Sequence, residues 1–443
     1  MCDNSIVTLS PTPPRFPTFY SGASPFLKAN PYFLKRVADA AQHCRIFATE
    51  DIFEKHGIKL WAADHQITPD LMAKLADREL RKPIELCIRA EDPIKEAALD
   101  EMVVRSCEEL PALRAAIMPA MDAVRSTVRR FRPNPQALLL ISMMRHSGED
   151  HLPHAVRVTS LALAVGLALG HRESELRPLV EAAVLHDVGL LYFPSDPDAP
   201  QSPSAYATHP MMSALVAVEL AHAGVEVGNI IACSHERLDG SGYPRGIPRD
   251  RLTPLARILL FAEAVGERLS PGHEDLTRAA IAARLISNEF DAGMVGWLSR
   301  VAESRLMLPS PRDLPEQEYT IGLRMRQLHT QLARITVLLS MPLDEFPAAK
   351  DEIDGLLHVQ IDPLMRALRA SGVEDALALG KFLDPVSPRE WVELEALHAE
   401  IVDRLVSLGR VVAWRRSENR YLESSPTVSY LLEILKTIAR GKP

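Results

Sequence analysis

The sequence predicts a mainly α-helical protein with a small α+β module near the N-terminus and a helical extension at the C-terminus. Apolar residues recur at helical spacing from residue 94 onward, while short β-prone runs lie between residues 46 and 61. Clusters of prolines separate these regions. With 443 residues, the chain is long enough for about three packed cores.

Composition places the chain among soluble globular proteins. It has 47% apolar and 24% charged residues, which excludes a wholly disordered chain. Its net charge of −8 argues against binding to DNA or to an anionic membrane surface. The five cysteines form no CxxC pair, and no signal peptide or apolar stretch of roughly 20 residues is present. We therefore predict a cytoplasmic protein without a membrane span.

Changes in composition and clusters of helix-breaking prolines divide the chain into four predicted regions. Residues 1–44 are a proline-rich tail and lead-in, and residues 45–145 are a small accessory module followed by helices. Residues 146–305 form the central helical domain. Pro309, Pro311 and Pro315 mark a linker to a helical C-terminal region over residues 316–443.

Local signals predict individual elements of the accessory module and of the central domain. Gly57 between two short β-prone runs predicts a hairpin, and Thr68-Pro69 begins a helix through Leu80. In the central domain, Ser174 begins a helix with one apolar face, and Thr253-Pro254 begins another.

Two heptad-like seams characterise the C-terminal region. The first is formed by Ile321, Met325, Leu328, Leu332, Ile335 and Leu339, and the second by Trp391, Leu394, His398, Ile401, Leu405 and Leu408. Such seams pack either within one chain, as in a helical bundle, or between two copies, as in a homodimer. The sequence leaves both alternatives open.

Histidines and one aspartate stand at helix boundaries between residues 150 and 240. His154 lies on a predicted helix, the pair His186-Asp187 follows an apolar helix, His209-Pro210 stands at a helix start, and His235 ends another helix. Each alone is more often a structural residue than a ligand. Imidazoles and a carboxylate at the ends of neighbouring helices can, however, converge on a divalent metal.

A glycine-rich loop follows His235. Its residues run Asp239-Gly240-Ser241-Gly242-Tyr243-Pro244, a composition typical of a tight turn whose backbone can approach a ligand closely. A plain turn between helices is the structural alternative.

In order and spacing, these segments resemble the HD-GYP family, a branch of the HD-domain metal phosphohydrolases. The resemblance covers residues 145–300, about a third of the chain. It rests on His154-Ala155-Val156-Arg157-Val158, Leu185-His186-Asp187-Val188-Gly189, His209-Pro210, His235-Glu236, Asp239–Gly246 and Ala256-Arg257-Ile258.

The resemblance implies an HD-type helical bundle with a divalent metal centre of iron or manganese. We expect two ions, with fewer or none as the alternative. Family members hydrolyse cyclic di-GMP to the linear dinucleotide, to GMP or to both. Residue by residue, the resemblance assigns as metal ligands His154, His186, Asp187, His209, His235, Glu263 and Asp150.

The resemblance also assigns catalytic and substrate-binding roles. Asp187 would bridge two ions and orient the attacking hydroxide, which makes it the predicted catalytic residue. The nucleotide pocket would be shaped by Asp239, Gly240, Gly242, Tyr243 and Pro244.

Three positions and one short segment depart from the family pattern. Leu190 replaces a lysine that contacts substrate phosphate, and Ser234 replaces a metal-binding histidine. Glu263 stands for an aspartate, and residues 270–273 replace a basic segment. These changes leave three hypotheses. The first is an attenuated cyclic di-GMP phosphodiesterase, and the second is a degenerate module that binds nucleotide or, through the glycine-rich loop, a protein partner. The third is a family member with a rearranged metal set or an altered substrate.

Overall fold

The computed structural model describes residues 24–75, 78–94, 96–146, 150–194, 202–270, 273–274, 276–304, 314–340, 358, 360–366, 368–369 and 387–440. Over these residues the chain is mainly helical, with three small antiparallel sheets of two strands each. The predicted fold class is therefore confirmed. The proline-rich tail to residue 23 and the linker residues Pro309 and Pro311 lie outside the described part.

The described helices and strands follow one another along the chain without a large sheet. The helices are α1 Pro31–Ala40, α2 Pro69–Leu75, α3 Glu96–Glu109, α4 Pro111–Ile117, α5 Met121–Arg129, α6 Pro135–His146, α7 His151–Ala168, α8 Arg177–Leu185, α9 Ser202–Glu219, α10 Val225–Ile231, α11 Pro254–Gly266, α12 Leu276–Leu285, α13 Ala292–Glu303, α14 Leu314–Ser340, α15 Pro388–Glu418, α16 Arg420–Glu423 and α17 Pro426–Arg440. The strands are β1 Ile46–Ala48, β2 Ile52–Phe53, β3 Lys59–Trp61, β4 Ile88–Ala90, β5 Leu269–Ser270 and β6 His273–Glu274. None of these described helices combines the length and apolarity needed to cross a bilayer.

The N-terminal module contains the predicted hairpin and a second strand pair. Strands β2 and β3 pair antiparallel around Gly57, whose φ of +96° favours glycine. Strand β1 pairs with β4, about 40 residues away, which no local signal indicated. Helix α2 does not extend to the predicted Leu80, because the Leu80 amide donates to the Leu27 carbonyl at 2.7 Å instead.

The N-terminal module packs on the central domain at the turn that follows the His186-Asp187 pair. The Phe33 ring stacks on Tyr192 with 5.1 Å between ring centroids. The buried Tyr192 hydroxyl donates to Glu85 Oε1 at 3.0 Å, and burial raises the pKa of Glu85 to about 7. The module therefore touches the chain five residues after Asp187.

The central domain is built around α7, which packs against α8 and α11. The Thr253 Oγ1 accepts from the Ala256 amide at 3.2 Å, so the predicted cap of α11 is confirmed. Helix α8 begins at Arg177 and not at Ser174, because residues 173–176 form a tighter 3₁₀ turn before it.

The C-terminal region forms a bundle of α14, α15 and α17, and α15 also packs on α9 and α12. Pro315 lies in the first turn of α14, so the helix begins inside the predicted linker. Residues of both heptad seams are buried in one apolar cluster, which includes Ile321, Met325, Leu328, Leu332, Ile335, Ile401, Leu405 and Leu408. These seams thus pack within the chain, as the first of the two alternatives requires.

Candidate metal centre

Six predicted site residues converge in the central domain. His154 lies on α7, His186 and Asp187 directly follow α8, and Glu263 lies on α11. His209 lies on α9. His235 was predicted to end a helix, but it lies four residues beyond the end of α10. They form two groups, within each of which the ligand atoms lie no more than 4.8 Å apart: His154, His186 and Glu263, and Asp187, His209 and His235.

The two groups adjoin at Asp187. Its Oδ1 lies 3.4 Å from His186 Nε2 in one group and 3.4 Å from His209 Nε2 in the other. Glu263 Oε2 lies 2.9 Å from His186 Nε2 and 3.1 Å from His154 Nε2. The Asp187 carboxylate thus lies between the two groups, within 3.4 Å of an imidazole nitrogen of each.

Backbone carbonyls fix the orientation of two imidazoles. His186 Nδ1 lies 2.8 Å from the Ala183 carbonyl, and His209 Nδ1 lies 2.9 Å from the Tyr206 carbonyl. Because a carbonyl oxygen only accepts, Nδ1 carries the proton in both rings. In the neutral rings Nε2 therefore holds a lone pair that faces the centre, as metal ligation requires.

The prediction that His209-Pro210 begins a helix is wrong, because Pro210 lies inside α9. A helical residue at position 210 normally donates its amide to the carbonyl of Tyr206 four residues earlier, but proline has no N–H. The Tyr206 carbonyl is therefore left free to accept from His209 Nδ1. The proline thus leaves the Tyr206 carbonyl unoccupied, and this carbonyl accepts the hydrogen bond that orients the imidazole.

Replacing Pro210 with alanine is expected to raise the dissociation constant for Mn²⁺ about tenfold, because the new amide competes for the Tyr206 carbonyl. Thermal stability should stay equal or increase, since an interior proline disfavours a helix. Metal titration with a melting curve measures both. Pro254→Ala, at a first-turn position without a required amide, is the control. Equal Mn²⁺ affinity in P210A and wild type would contradict this assignment.

Metal ligation explains the arrangement of these six side chains better than hydrogen bonding among them does. Within the described residues, His186 Nε2 and Asp187 Oδ1 are buried without a hydrogen-bond partner of good geometry. His209 Nε2 and His235 Nε2 lie only 3.1 Å apart. Two facing nitrogen lone pairs repel each other unless a proton or a cation lies between them. Nitrogen and carboxylate donors of this kind suit divalent iron, manganese or zinc.

The electrostatics of the centre are strongly coupled. Burial lowers the pKa of His186, but the Asp187 and Glu263 carboxylates outweigh it and raise this pKa to about 10. Burial and the neighbouring His209 lower the pKa of His235 to about 3. The imidazoles around Glu263 hold its pKa well below the usual range despite burial. The carboxylates therefore stay ionised and provide negative charge for a cation.

Three residues singled out from the sequence lie apart from the two groups. Asp150, the predicted additional ligand, is half-exposed and accepts from Arg157 Nη2 at 2.6 Å. Leu190 lines the cavity beside the centre. Ser234 is fully buried, and its Oγ has no hydrogen-bond partner within the described residues.

The predicted substrate loop shapes one side of the cavity. Ser241, Gly242 and Tyr243 line it, while Asp239 Oδ1 accepts from the Ser241 amide at 3.0 Å and closes the turn. A Cβ on Gly242 would come within 2.3 Å of the Glu236 backbone, so glycine is required there. The remaining two predicted positions also sit in the turn: Gly240 has a φ of +80°, and the Tyr243–Pro244 peptide bond is cis.

Tyr243 also contacts His235, one of the candidate ligands. Its hydroxyl lies 2.9 Å from His235 Nδ1, and its ring stacks on the His235 imidazole. In the tautomer that leaves His235 Nε2 free of a proton, Nδ1 donates to the Tyr243 oxygen. The loop therefore orients a third imidazole of the centre.

Sequence reasoning missed two contributions to the site. Glu267 lies one helical turn after Glu263 and could join it and His235 in a third group. Its spacing of four residues from Glu263 was the available signal. The cavity of about 700 Å³ is also lined by α15, more than 120 residues beyond α11. No local pattern indicated that contact.

Comparisons with known proteins match the same part of the chain. Residues 139–270 match the family described as the HD domain. A cyclic di-GMP phosphodiesterase of Pseudomonas aeruginosa is 26% identical over 188 residues, which are 41% of this chain and 44% of that protein. A cyclic di-GMP phosphodiesterase response regulator of Xanthomonas campestris pv. campestris is 31% identical over 156 residues, 32% of this chain and 41% of that protein.

The chain also matches the solved structure of an HDGYP protein from Bdellovibrio bacteriovorus, with 20% sequence identity and a TM-score of 0.33. The match covers 47% of this chain and 70% of the Bdellovibrio chain. The chain spans less than half the length of the two curated relatives. The family match includes all six converging side chains, from His154 to Glu263. Residues 139–270 of this chain are therefore similar to the HD-domain family, and the residues of the candidate centre lie within that match.

Proposed function

We propose that this chain is a metal-dependent phosphodiesterase that hydrolyses cyclic di-GMP to the linear dinucleotide or to GMP. The observation that carries the proposal is the pair of adjoining ligand groups around Asp187, beside an open cavity. Both curated relatives are named as cyclic di-GMP phosphodiesterases, and their similarity supports the choice of substrate.

The centre would hold two ions of iron or manganese. One would bind His154, His186 and Glu263, the other His209 and His235, and Asp187 would contact both. Bound divalent cations would activate a water molecule near neutral pH and neutralise the charge that develops on the phosphodiester oxygens.

The chain's own residues prepare this chemistry. The carbonyls of Ala183 and Tyr206 hold two imidazoles in the ligating tautomer, and Tyr243 orients His235. Asp187 lies between the two groups, where its free Oδ1 can orient the attacking water. A cavity of about 700 Å³ lies in the usual range for small-molecule sites.

The proposal is tested with the full chain reconstituted with Mn²⁺ or Fe²⁺ and assayed on cyclic di-GMP. We expect linear dinucleotide or GMP to accumulate, and chelation to stop the reaction. Metal analysis of the same sample should give about two ions per chain. Absence of product from a protein that holds two ions would reject the proposed activity.

A non-catalytic adaptor is the second candidate, favoured by two positions. Leu190 offers the cavity no charge, and Ser234 is a poor ligand for divalent iron or manganese. An adaptor would bind a nucleotide or a protein partner and retain that binding in His186→Ala. A partner at the glycine-rich loop would compete with the chain's own Gln360, which donates to the Ser241 carbonyl. This partner and a homodimer remain predictions.

A further inference from the structure

We infer that Arg410, on helix α15 of the C-terminal extension, binds a phosphate of the dinucleotide and supplies the positive charge that Leu190 cannot. The inference rests on the proposed function and names a substrate contact outside the HD domain. It follows from three observations on the wall of the cavity, on the pairing of its arginines and on the position of Arg410.

Helix α15 forms one wall of the cavity that contains the candidate metal centre. Residues of α15 from 403 to 411 line it, opposite the metal groups and the loop residues Ser241–Tyr243. A dinucleotide held by one phosphate at the centre would therefore lie against α15. The sequence motifs of the HD domain end well before this helix.

Among the residues that the structure describes, six arginines line the cavity, and five of them have carboxylate partners. The ion pairs are Arg157 with Asp150, Arg237 with Glu289, Arg268 with Glu400, Arg278 with Asp403, and Arg404 with Glu289 and Glu400. Arg410 differs, because no carboxylate of the described residues pairs with it. A guanidinium already neutralised by a buried carboxylate is poorly available to a ligand, whereas an unpaired one is available.

A series of side-chain contacts connects Arg410 to the candidate metal centre. Its guanidinium carbon lies 4.9 Å from the centroid of the Tyr206 ring, and the Tyr206 and Tyr243 rings lie 5.0 Å apart. Tyr243 in turn contacts His235 at 2.9 Å. The cation–π contact positions the guanidinium and leaves its N–H donors free.

The chemistry of the substrate matches this geometry. A cyclic dinucleotide carries two phosphates, so one can bind at the metal groups while the other projects toward the cavity wall. The planar guanidinium donates two parallel hydrogen bonds to a phosphate, which makes arginine suited to a second anionic group. Arg410 is exposed, so its substitution should leave the fold intact.

The test compares wild type, Arg410→Gln, Arg410→Lys and the control Arg389→Gln, an exposed arginine at the start of α15 that pairs with Glu393. Each full-length protein, loaded with Mn²⁺, is assayed for hydrolysis of cyclic di-GMP and of bis(p-nitrophenyl) phosphate, and for binding of fluorescent cyclic di-GMP. We expect R410Q to raise KM and Kd for the dinucleotide about tenfold with kcat nearly unchanged.

R410K should recover part of the affinity, since it keeps the charge but not the paired hydrogen bonds. The one-phosphate substrate and R389Q should show no change. If R410Q binds the dinucleotide as tightly as wild type does, the inference is overturned and the proposed activity is left intact. The same conclusion follows if R410Q loses equal hydrolytic activity on cyclic di-GMP and on bis(p-nitrophenyl) phosphate. If wild type binds the dinucleotide without hydrolysing it and R410Q weakens that binding, the activity fails and the inference stands. Absence of any binding to wild type would reject both.

Discussion

Replacing Asp187 with asparagine is expected to lower kcat for cyclic di-GMP about a thousandfold and to reduce the metal content by about one ion per chain. The carboxylate lies 3.4 Å from imidazole nitrogens of both ligand groups, and asparagine keeps its shape but loses its charge. Loss of about 4 kcal/mol of transition-state stabilisation corresponds to that factor. Metal analysis and steady-state kinetics of the same preparation measure both effects.

Asp122→Asn is the matched control, because Asp122 is an exposed residue of α5 outside the cavity. It should leave both kcat and metal content unchanged. Asp150→Asn tests whether Asp150, the predicted additional ligand, contributes to the centre. Because Asp150 pairs with Arg157, we expect this substitution to lower kcat less than tenfold. If D187N retained two ions and wild-type kcat, the assignment of Asp187 as the shared ligand would be wrong.

Replacing Glu400 with glutamine is expected to lower the free energy of unfolding by about 3 kcal/mol. Glu400 is fully buried between Arg268 on the HD domain side and Arg404 on its own helix, with carboxylate contacts of 2.6 and 2.8 Å. Removing the charge leaves two largely buried guanidinium groups without part of their compensating negative charge. Denaturant unfolding of the variant measures the loss.

The same ion pairs give stability a defined pH dependence. The two arginines overcome the effect of burial and lower the pKa of Glu400 to about 2, from a reference value of 4.5. A carboxylate with a depressed folded-state pKa contributes stability above its unfolded pKa and loses it as the pH falls through the folded value. We therefore expect the Glu400 contribution to disappear between about pH 5 and about pH 2, and E400Q to lack that part of the pH profile.

Glu433→Gln serves as the control, because Glu433 forms an exposed pair with Lys436 at 3.0 Å. Exposed pairs contribute at most about 1 kcal/mol, so E433Q should stay close to wild type. Equal free energies of unfolding for E400Q and E433Q would show that the buried ion pairs do not hold α15 on the HD domain.

Local sequence signals predicted most of the elements that carry the site. The Thr253 cap, the hairpin around Gly57 and the end of α8 before His186 all depend on neighbours in the chain. The predictions that were wrong concern segments whose structure depends on contacts with residues far away in the sequence. Helix α2 does not reach Leu80, because the Leu80 amide pairs with the Leu27 carbonyl. Pro210 lies inside a helix, because packing of α9 outweighs the local preference for a helix start.

The sequence by itself determined that the chain is mainly helical and that its histidines and acids follow one another in an HD-domain pattern. Only the tertiary structure decided that six of these side chains form two adjoining groups, and that α15 closes the cavity above them. The physical reason is the range of the interactions. Helix caps and apolar spacing act over a few residues, whereas the pair between Arg268 and Glu400 joins residues 132 positions apart and leaves no periodic trace in the sequence.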